Sequence, residues 1–361
     1  TLDTLDTGVC CSTLAASSGG GMMKHLKHLK HLLLNTVKLL DSNVPGIGNT
    51  PDILVVENIV ARHFPRTHPT YTERVKEGVS TYVYRIHYAN EIFYLRILPE
   101  IDASFAPEVT VHQLLRAKQV KVPDVLYSEH MNEELGRSIM LTSEIKGKPL
   151  GQCSIEWNQR AILQEAGRDL AIINSLPVRY FGWIRRDSQE ITALEATLPT
   201  NRDFIYEYLE HDLATLAKKV LTSNQVATIR QLVQRFDDWI NDGTQAWLAH
   251  GDFDATHIYH DQGRYTGIID FGEIRGTHSL YDLAHFRLHD GETLPNLVLP
   301  FLITGYREVT PLPPDYEQRV SFFSLLIATR TLARALEKRP DTVYNHQALV
   351  SLQRDVELLL A

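Results

Sequence analysis

Residues 250–282 read HGDFDATHIYHDQGRYTGIIDFGEIRGTHSLYD, and this stretch decides the fold. Asp252 stands in a short loop ahead of two β-branched or aromatic runs, His257-Ile258-Tyr259 and Thr266-Gly267-Ile268-Ile269. Between the runs, Asp261-Gln262-Gly263-Arg264 has the composition of a tight hairpin turn. The second strand returns Asp270 to the loop that carries Asp252, so two carboxylates and an imidazole meet at one mouth of the hairpin. Two chemistries suit that set. In one, a divalent metal sits between His257 and Asp270 while Asp252 orients a nucleophile. In the other, His250, Asp252, His257, His260 and Asp270 form the metal cluster of a hydrolase. The second is the weaker, because strand alternation sends His260 to the face opposite Tyr259.

Upstream, Ile53, Val56, Ile59 and Val60 recur at helical spacing after Pro51, which predicts a short amphipathic helix over 51–63. Val83 to Tyr88 and Ile92 to Leu98 predict a hairpin turning at Ala89-Asn90. Just before it, Glu77-Gly78-Val79-Ser80-Thr81 offers a glycine and two hydroxyls; Gly78 and Ser80 are candidates to set backbone N–H groups against phosphates. Residues 104–118 read as a helix with Glu108, Val111 and Leu115 on one face. A carboxylate aimed at the apolar side costs several kcal/mol on order-of-magnitude grounds unless a cation meets it, and Arg96 is the natural partner. Strands over 125–128 and 138–143 lead into Glu144-Ile145-Lys146-Gly147-Lys148-Pro149-Leu150, which has linker composition. The rest is mainly helical: Leu163, Ala166, Leu170 and Ile173 share one face, and Val226, Ile229, Val233 and Phe236 another, with Ser223 as its expected cap.

The 361 residues are ample for two lobes. With 36 Lys plus Arg against 44 Asp plus Glu, the net charge of −8 disfavours nucleic acid or an anionic membrane as partner. Three cysteines without zinc-like spacing fit a reducing cytosol, and no apolar run has the length of a membrane span. The expectation is a cytoplasmic monomer or weak dimer. Residues 1–50 differ from the remainder, with the near-repeat Thr1 to Asp6 and the triplet Lys-His-Leu repeat of 24–32; they read as an unstructured or added extension. The rival readings there, an amphipathic helix or metal capture by His25, His28 and His31, are the weaker.

The combined pattern H-G-D-x-x-x-x-H, I-D-F-G and Y-D-L-A, with Gly78, Arg96 and Glu108 upstream in order, resembles the aminoglycoside phosphotransferase and choline kinase-like family of small-molecule kinases. The segment Tyr180-Phe181-Gly182-Trp183 is similar to one in its hygromycin-type members, and histidine at 257 is similar to some aminoglycoside 2″-kinases. The resemblance implies an α+β, bilobal, protein-kinase-like fold: a small antiparallel-sheet N-lobe with one helix over 51–143 and a larger, mostly helical C-lobe over 144–361. It implies ATP or GTP as co-substrate and magnesium, or manganese in its place. Arg96 would hold nucleotide phosphates where protein kinases use lysine, and the backbone from Ser143 to Ile145 would meet a purine. Asp252 would hold the acceptor proton and Asp270 would bind the metal. His257, where most members carry asparagine, would contact metal or phosphate. His250 would brace the loop, and Asp282 would receive its N–H groups. Glu273, Asp290 and Glu292 could line an acidic acceptor cleft suited to amino sugars or quaternary ammonium groups. The implied activity is phosphorylation of an aminoglycoside-type acceptor. Choline, homoserine or sugar kinases are close rivals, and a weakly catalytic nucleotide-binding module is an alternative of another class.

Overall fold

The computed structural model describes residues 50–63, 71–76, 81–88, 90–152, 159–187, 189, 191–241, 243, 245–294, 296–338 and 343–361. The expectations for residues 1–49, Gly78 and Ser80 lie outside them. The 51–63 periodicity folds as α1 (Ile53–His63), burying Val56, Ile59 and Val60. Then follow β1 (Tyr71–Val75), β2 (Tyr82–Tyr88), β3 (Glu91–Ile97), α2 (Ala106–Ala117), β4 (Val125–Glu129) and β5 (Ile139–Ser143). The strands make one five-stranded antiparallel sheet in the order β1-β2-β3-β5-β4. Strand alternation divides its faces. Tyr84, Ile86, Phe93, Leu95 and Ile97 pack with α1 in one core. Val83 opposite Arg96 and Arg85 opposite Tyr94 occupy the other face.

The stretch with linker composition gains regular structure that its glycine and lysines did not announce: β6 (Lys148–Pro149), followed by a 3₁₀ turn at Leu150–Gln152. Beyond it come α3 (Gln159–Ile173), β7 (Pro177–Val178), β8 (Phe181–Ile184), β9 (Ala196–Leu198), α4 (Asn201–Lys219), α5 (Ser223–Arg235) and the short α6 (Asp237–Ile240). Thr222, not Ser223, caps α5. Its hydroxyl accepts from Gln225 N while the Gln225 amide oxygen accepts from Thr222 N, a reciprocal box that leaves Ser223 as the first helical residue.

β10 (Ala246–Ala249) leads into the 250–282 stretch, where β11 (Ile258–Asp261) and β12 (Arg264–Ile268) form the expected hairpin. Gln262 and Gly263 at its tip both take positive φ, +47° and +77°, as a two-residue hairpin turn requires. β6 joins this hairpin as a third strand through Lys148 opposite His260. β13 (Arg275–Thr277) pairs with β10 and β8. The chain ends with α7 (Tyr281–His289), α8 (Leu299–Arg307), α9 (Tyr316–Lys338) and α10 (Val343–Leu360). The result is the α+β class, a sheet lobe and a larger helical lobe. The sheet lobe carries both α1 and α2, at the two positions where helical spacing predicts them. α2 faces two ways: Val111 and Leu115 belong to the core of the helical lobe, while Val109 packs beside Leu98, Phe105 and Met140 of the sheet lobe. Among the described residues no helix is long and apolar enough to cross a membrane.

Candidate active site

β10 is held in register by β13, with Leu248 opposite Gly276 and Ala249 opposite Arg275, and it delivers His250 and Asp252 to the cleft. Gly251 turns the chain with φ +88°, and a Cβ there would stand 1.9 Å from the Glu273 carbonyl, so only glycine fits. Asp282, fully buried, accepts from His250 N at 2.8 Å, Gly251 N at 2.9 Å and Asn174 Nδ2 at 2.7 Å. Burial raises its pKa, and those three donors limit the rise. The His250 ring has its tautomer set by its partners. Nε2–H donates to the Ile269 carbonyl at 2.9 Å, and Nδ1 accepts from Asp252 N at 3.3 Å. Burial, then the charge of His257, pulls its pKa down to about 4, so it braces the loop as a neutral ring.

Asp252 keeps 46% of its side chain exposed, enough to meet a hydroxyl. Its Oδ2 is 3.9 Å from His257 Nε2 and its Oδ1 is 3.5 Å from His285 Nε2. His285, on α7, donates Nδ1–H to the Phe253 carbonyl at 3.1 Å, and burial, then neighbouring His289, brings its pKa to about 3. Arg275 fastens the loop from below: Nη2 donates to the Gly251 carbonyl at 3.1 Å and Nη1 to the Tyr281 hydroxyl at 2.7 Å, with the guanidinium over the Trp183 ring. Asp254, Arg186, Arg275 and His285 had no motif or periodicity to mark them in the sequence.

Across the cleft, Asp270 has a left-handed backbone, φ +69°, and a side chain 48% exposed. Its Oδ1 accepts from Arg96 Nη2 at 3.1 Å; burial opposes its ionisation, and Arg96 and His257 more than offset that, lowering its pKa. Arg96 Nη1 reaches the fully buried Glu108 at 2.9 Å. His257 lies between the carboxylates, Nε2 4.0 Å from Asp270 Oδ2, with Nδ1 3.3 Å from Asp254 Oδ1 but off-line for a hydrogen bond. Burial would lower its pKa, but Asp254, Asp252 and Asp270 overcome this and hold it at about 9. It is therefore an imidazolium in the metal-free protein. Asp270 offers the oxygen donor that magnesium prefers, whereas His257 would have to lose its proton before its nitrogen could meet a metal.

Among the described residues no group of three or more His, Cys, Asp or Glu side chains is gathered to hold a metal by itself. His260 is buried, with Nδ1 accepting from Gly263 N at 3.3 Å. Both facts count against the hydrolase cluster.

Tyr94 of β3 and Tyr259 of β11 each feel Arg85 and Glu144, and burial raises the pKa of both phenols. Arg85 pairs with Glu144 at 3.5 Å. Ser143 donates its N–H to the Asp124 carbonyl at 2.9 Å, so within the expected Ser143–Ile145 segment its amide is already committed. On the acceptor side, Glu273 is part-exposed, and its pKa is raised by burial, against Arg275, and by the charge of Asp252. Glu292 Oε2 bonds His289 Nδ1 at 2.8 Å, and the His289 ring lies 4.9 Å from that of His285. Asp290 corrects the expected acidic wall. It is buried, and its two oxygens accept from Val298 N at 2.9 Å and Leu299 N at 3.0 Å. The positive-φ turn at Gly291 folds the chain so that Asp290 caps α8 instead of facing the cleft.

The model of a family described as "Phosphotransferase enzyme family" matches residues 72–319. No curated protein matches. Among solved structures, a thermostable mutant of aminoglycoside phosphotransferase APH(4)-Ia, in ternary complex with AMP-PNP and hygromycin B, is 19% identical. It has a TM-score of 0.60, covering 84% of this chain and 98% of that one. A putative fructosamine-3-kinase from Thermobifida fusca is 17% identical with a TM-score of 0.57, covering 86% of this chain and 99% of that one. A GDP complex of an aminoglycoside 2′-phosphotransferase-IIIa mutant is 14% identical with a TM-score of 0.56 and the same coverage. At these identities the likeness is one of fold.

Proposed function

The chain belongs to the phosphotransferase enzyme family, and from that premise we propose that it moves the γ-phosphate of ATP or GTP to a hydroxyl of a small cationic molecule of the aminoglycoside type. One observation carries the reading: Asp252, half-exposed on a loop fixed by Asp282, His250 and Arg275, faces Asp270, which is tied through Arg96 to the buried Glu108.

Phosphoryl transfer asks for positioning and charge neutralisation more than covalent chemistry from the protein. In the proposed roles, Asp252 Oδ2 accepts the proton of the acceptor hydroxyl as the hydroxyl oxygen attacks the γ-phosphorus and the bond from that phosphorus to the β–γ bridging oxygen breaks, releasing the nucleoside diphosphate. Arg96 supplies a permanent charge toward the phosphates, and its fork can turn from Asp270 to phosphate oxygens without losing Glu108. Asp270, with His257 once deprotonated, would hold magnesium or manganese, which when bound neutralises phosphate charge. Tyr94, Tyr259 and the Glu144-Ile145 backbone bound the space offered to the base. The carboxylates of Asp252, Glu273 and Glu292 near the acceptor side favour a cation there.

A nucleotide-consumption screen across aminoglycosides, choline, homoserine, amino-alcohols and sugars, with magnesium and manganese compared, tests the reading. Acceptor-dependent consumption strongest with amino sugars is expected. Consumption only with choline, homoserine or a neutral sugar would keep the reaction and replace the acceptor class.

A further inference from the structure

Glu108 is fully buried, yet each of its oxygens meets a different guanidinium. Oε2 accepts from Arg96 Nη1 at 2.9 Å and Oε1 from Arg186 Nη2 at 2.7 Å. The same Nη2 donates at 2.7 Å to the carbonyl of Gly272, just beyond Asp270, and Arg96 Nη2 reaches Asp270 Oδ1 at 3.1 Å. These contacts close a ring that runs from Asp270 to Arg96, Glu108, Arg186 and Gly272 and back along the chain. It joins β3, α2, the metal-facing loop and the segment following β8, whose backbone is also tied through Ser104 N to the Arg186 carbonyl at 2.8 Å.

The ring has a physical task. Asp270 holds a left-handed backbone at φ +69°, strained for a non-glycine residue even though aspartate tolerates it better than most. Its surroundings must therefore impose it. Arg96 grips the side chain, and Arg186 grips the backbone past it. Both guanidiniums are placed by the two oxygens of a single carboxylate that solvent does not reach. Without Arg186, Glu108 Oε1 would be buried without this partner, the Gly272 carbonyl would lose its donor, and the ring would open on the side that fixes the loop backbone.

We propose that Arg186 is a positioning residue for the metal-facing carboxylate, closing through Glu108 a ring of charge that presets Asp270 for a metal–nucleotide complex. The inference rests on the phosphotransferase reading, because only a metal–nucleotide ligand makes the placement of Asp270 consequential. Its signature is selective: the loss falls on metal-dependent nucleotide affinity and spares metal-free affinity. Since one nitrogen of Arg186 makes both contacts, a lysine ammonium of comparable reach can replace it.

The test titrates AMP-PNP, with and without magnesium, into the full chain carrying wild-type sequence, R186Q or R186K, with thermal unfolding followed in parallel. R186Q is expected to bind Mg·AMP-PNP about tenfold or more weakly, in line with the loss of groups that orient metal ligands, and metal-free AMP-PNP within about twofold of wild type. R186K should return to within about threefold of wild type for the magnesium complex. If R186Q does not fold, R186M, which keeps the stem and leaves Glu108 and Arg96 as they are, takes its place and must show the same magnesium-dependent loss. A folded R186Q that binds Mg·AMP-PNP as tightly as wild type overturns the proposal. So does an equal loss with and without magnesium, which would mark Arg186 as lobe packing alone. A wild-type protein that binds neither AMP-PNP nor GMP-PNP, with or without magnesium, sinks the phosphotransferase reading itself, and the proposal with it.

Discussion

The two aspartates of the cleft are similarly exposed but held by different physics. Asp252 hangs from a framework internal to the helical lobe: Asp282 takes the loop N–H groups, His250 bridges it to Ile269, and Arg275 holds the Gly251 carbonyl. Asp270 is held across the lobes by Arg96 of the sheet lobe and, through Glu108, by Arg186. Asp252 is therefore held from within one lobe, while Asp270 depends on elements from both. In the proposed roles, that arrangement would hold the proton acceptor in place independently of nucleotide and leave the phosphate side responsive to its ligand.

The largest expected effect strikes the internal side. D252N should lower kcat by roughly 10²- to 10⁴-fold while nucleotide KM stays near wild type, because the amide cannot take the acceptor proton; steady-state kinetics with both substrates varied checks this split. On the cross-lobe side, R96A should raise nucleotide KM by about tenfold or more and also leave Glu108 and Asp270 with one guanidinium fewer. An unchanged KM would mean that Arg96 serves only as a brace.

Acid stability sharpens the comparison further. His112 of α2 lies against the loop that carries Asp270, its ring 5.1 Å from that of Phe271, and burial, aided by the charge of Arg96, brings its pKa to about 4 against 6.5 when unfolded. The unfolded chain thus takes up this proton first. Stability is full above pH 6.5, falls as pH declines toward 4, and levels off below; at pH 5 this group alone costs about 2 kcal/mol. H112Q should show a shallower fall in unfolding free energy between pH 6.5 and 4 than wild type, whatever its offset at neutral pH. The smallest effect belongs to the displaced acid: D290A should lose about 1 kcal/mol, as a missing helix cap does, with acceptor KM within about twofold of wild type. A large rise in acceptor KM would return Asp290 to the acceptor wall.

Much of the fold was legible because its signals are local. The hairpin over 258–268, the β2–β3 pair and the helices at 53–63 and 159–173 follow from periodicity and turn chemistry. β6 was not legible, since two residues in a Gly-Lys-Pro stretch become a strand only when β11 lies beside them. Thr222 and Ser223 are equally good caps by residue type, and the choice fell to Gln225. At the site, Arg96 with Glu108 could be anticipated because a carboxylate on an apolar helix face demands a cation, whereas Arg186 approaches the same carboxylate from far along the chain. Asp290 misled for a related reason: exposed and capping acids look alike until the backbone they cap is in view.

The most direct measurement follows transfer of γ-³²P from nucleotide to acceptor in wild-type protein and in D252N, at saturating nucleotide and magnesium. Acceptor labelling that is robust in wild type and at least about a hundredfold slower in D252N, with nucleotide binding retained, is the expected result. Full-rate labelling by D252N would contradict the assignment of Asp252 as the group that takes the acceptor proton.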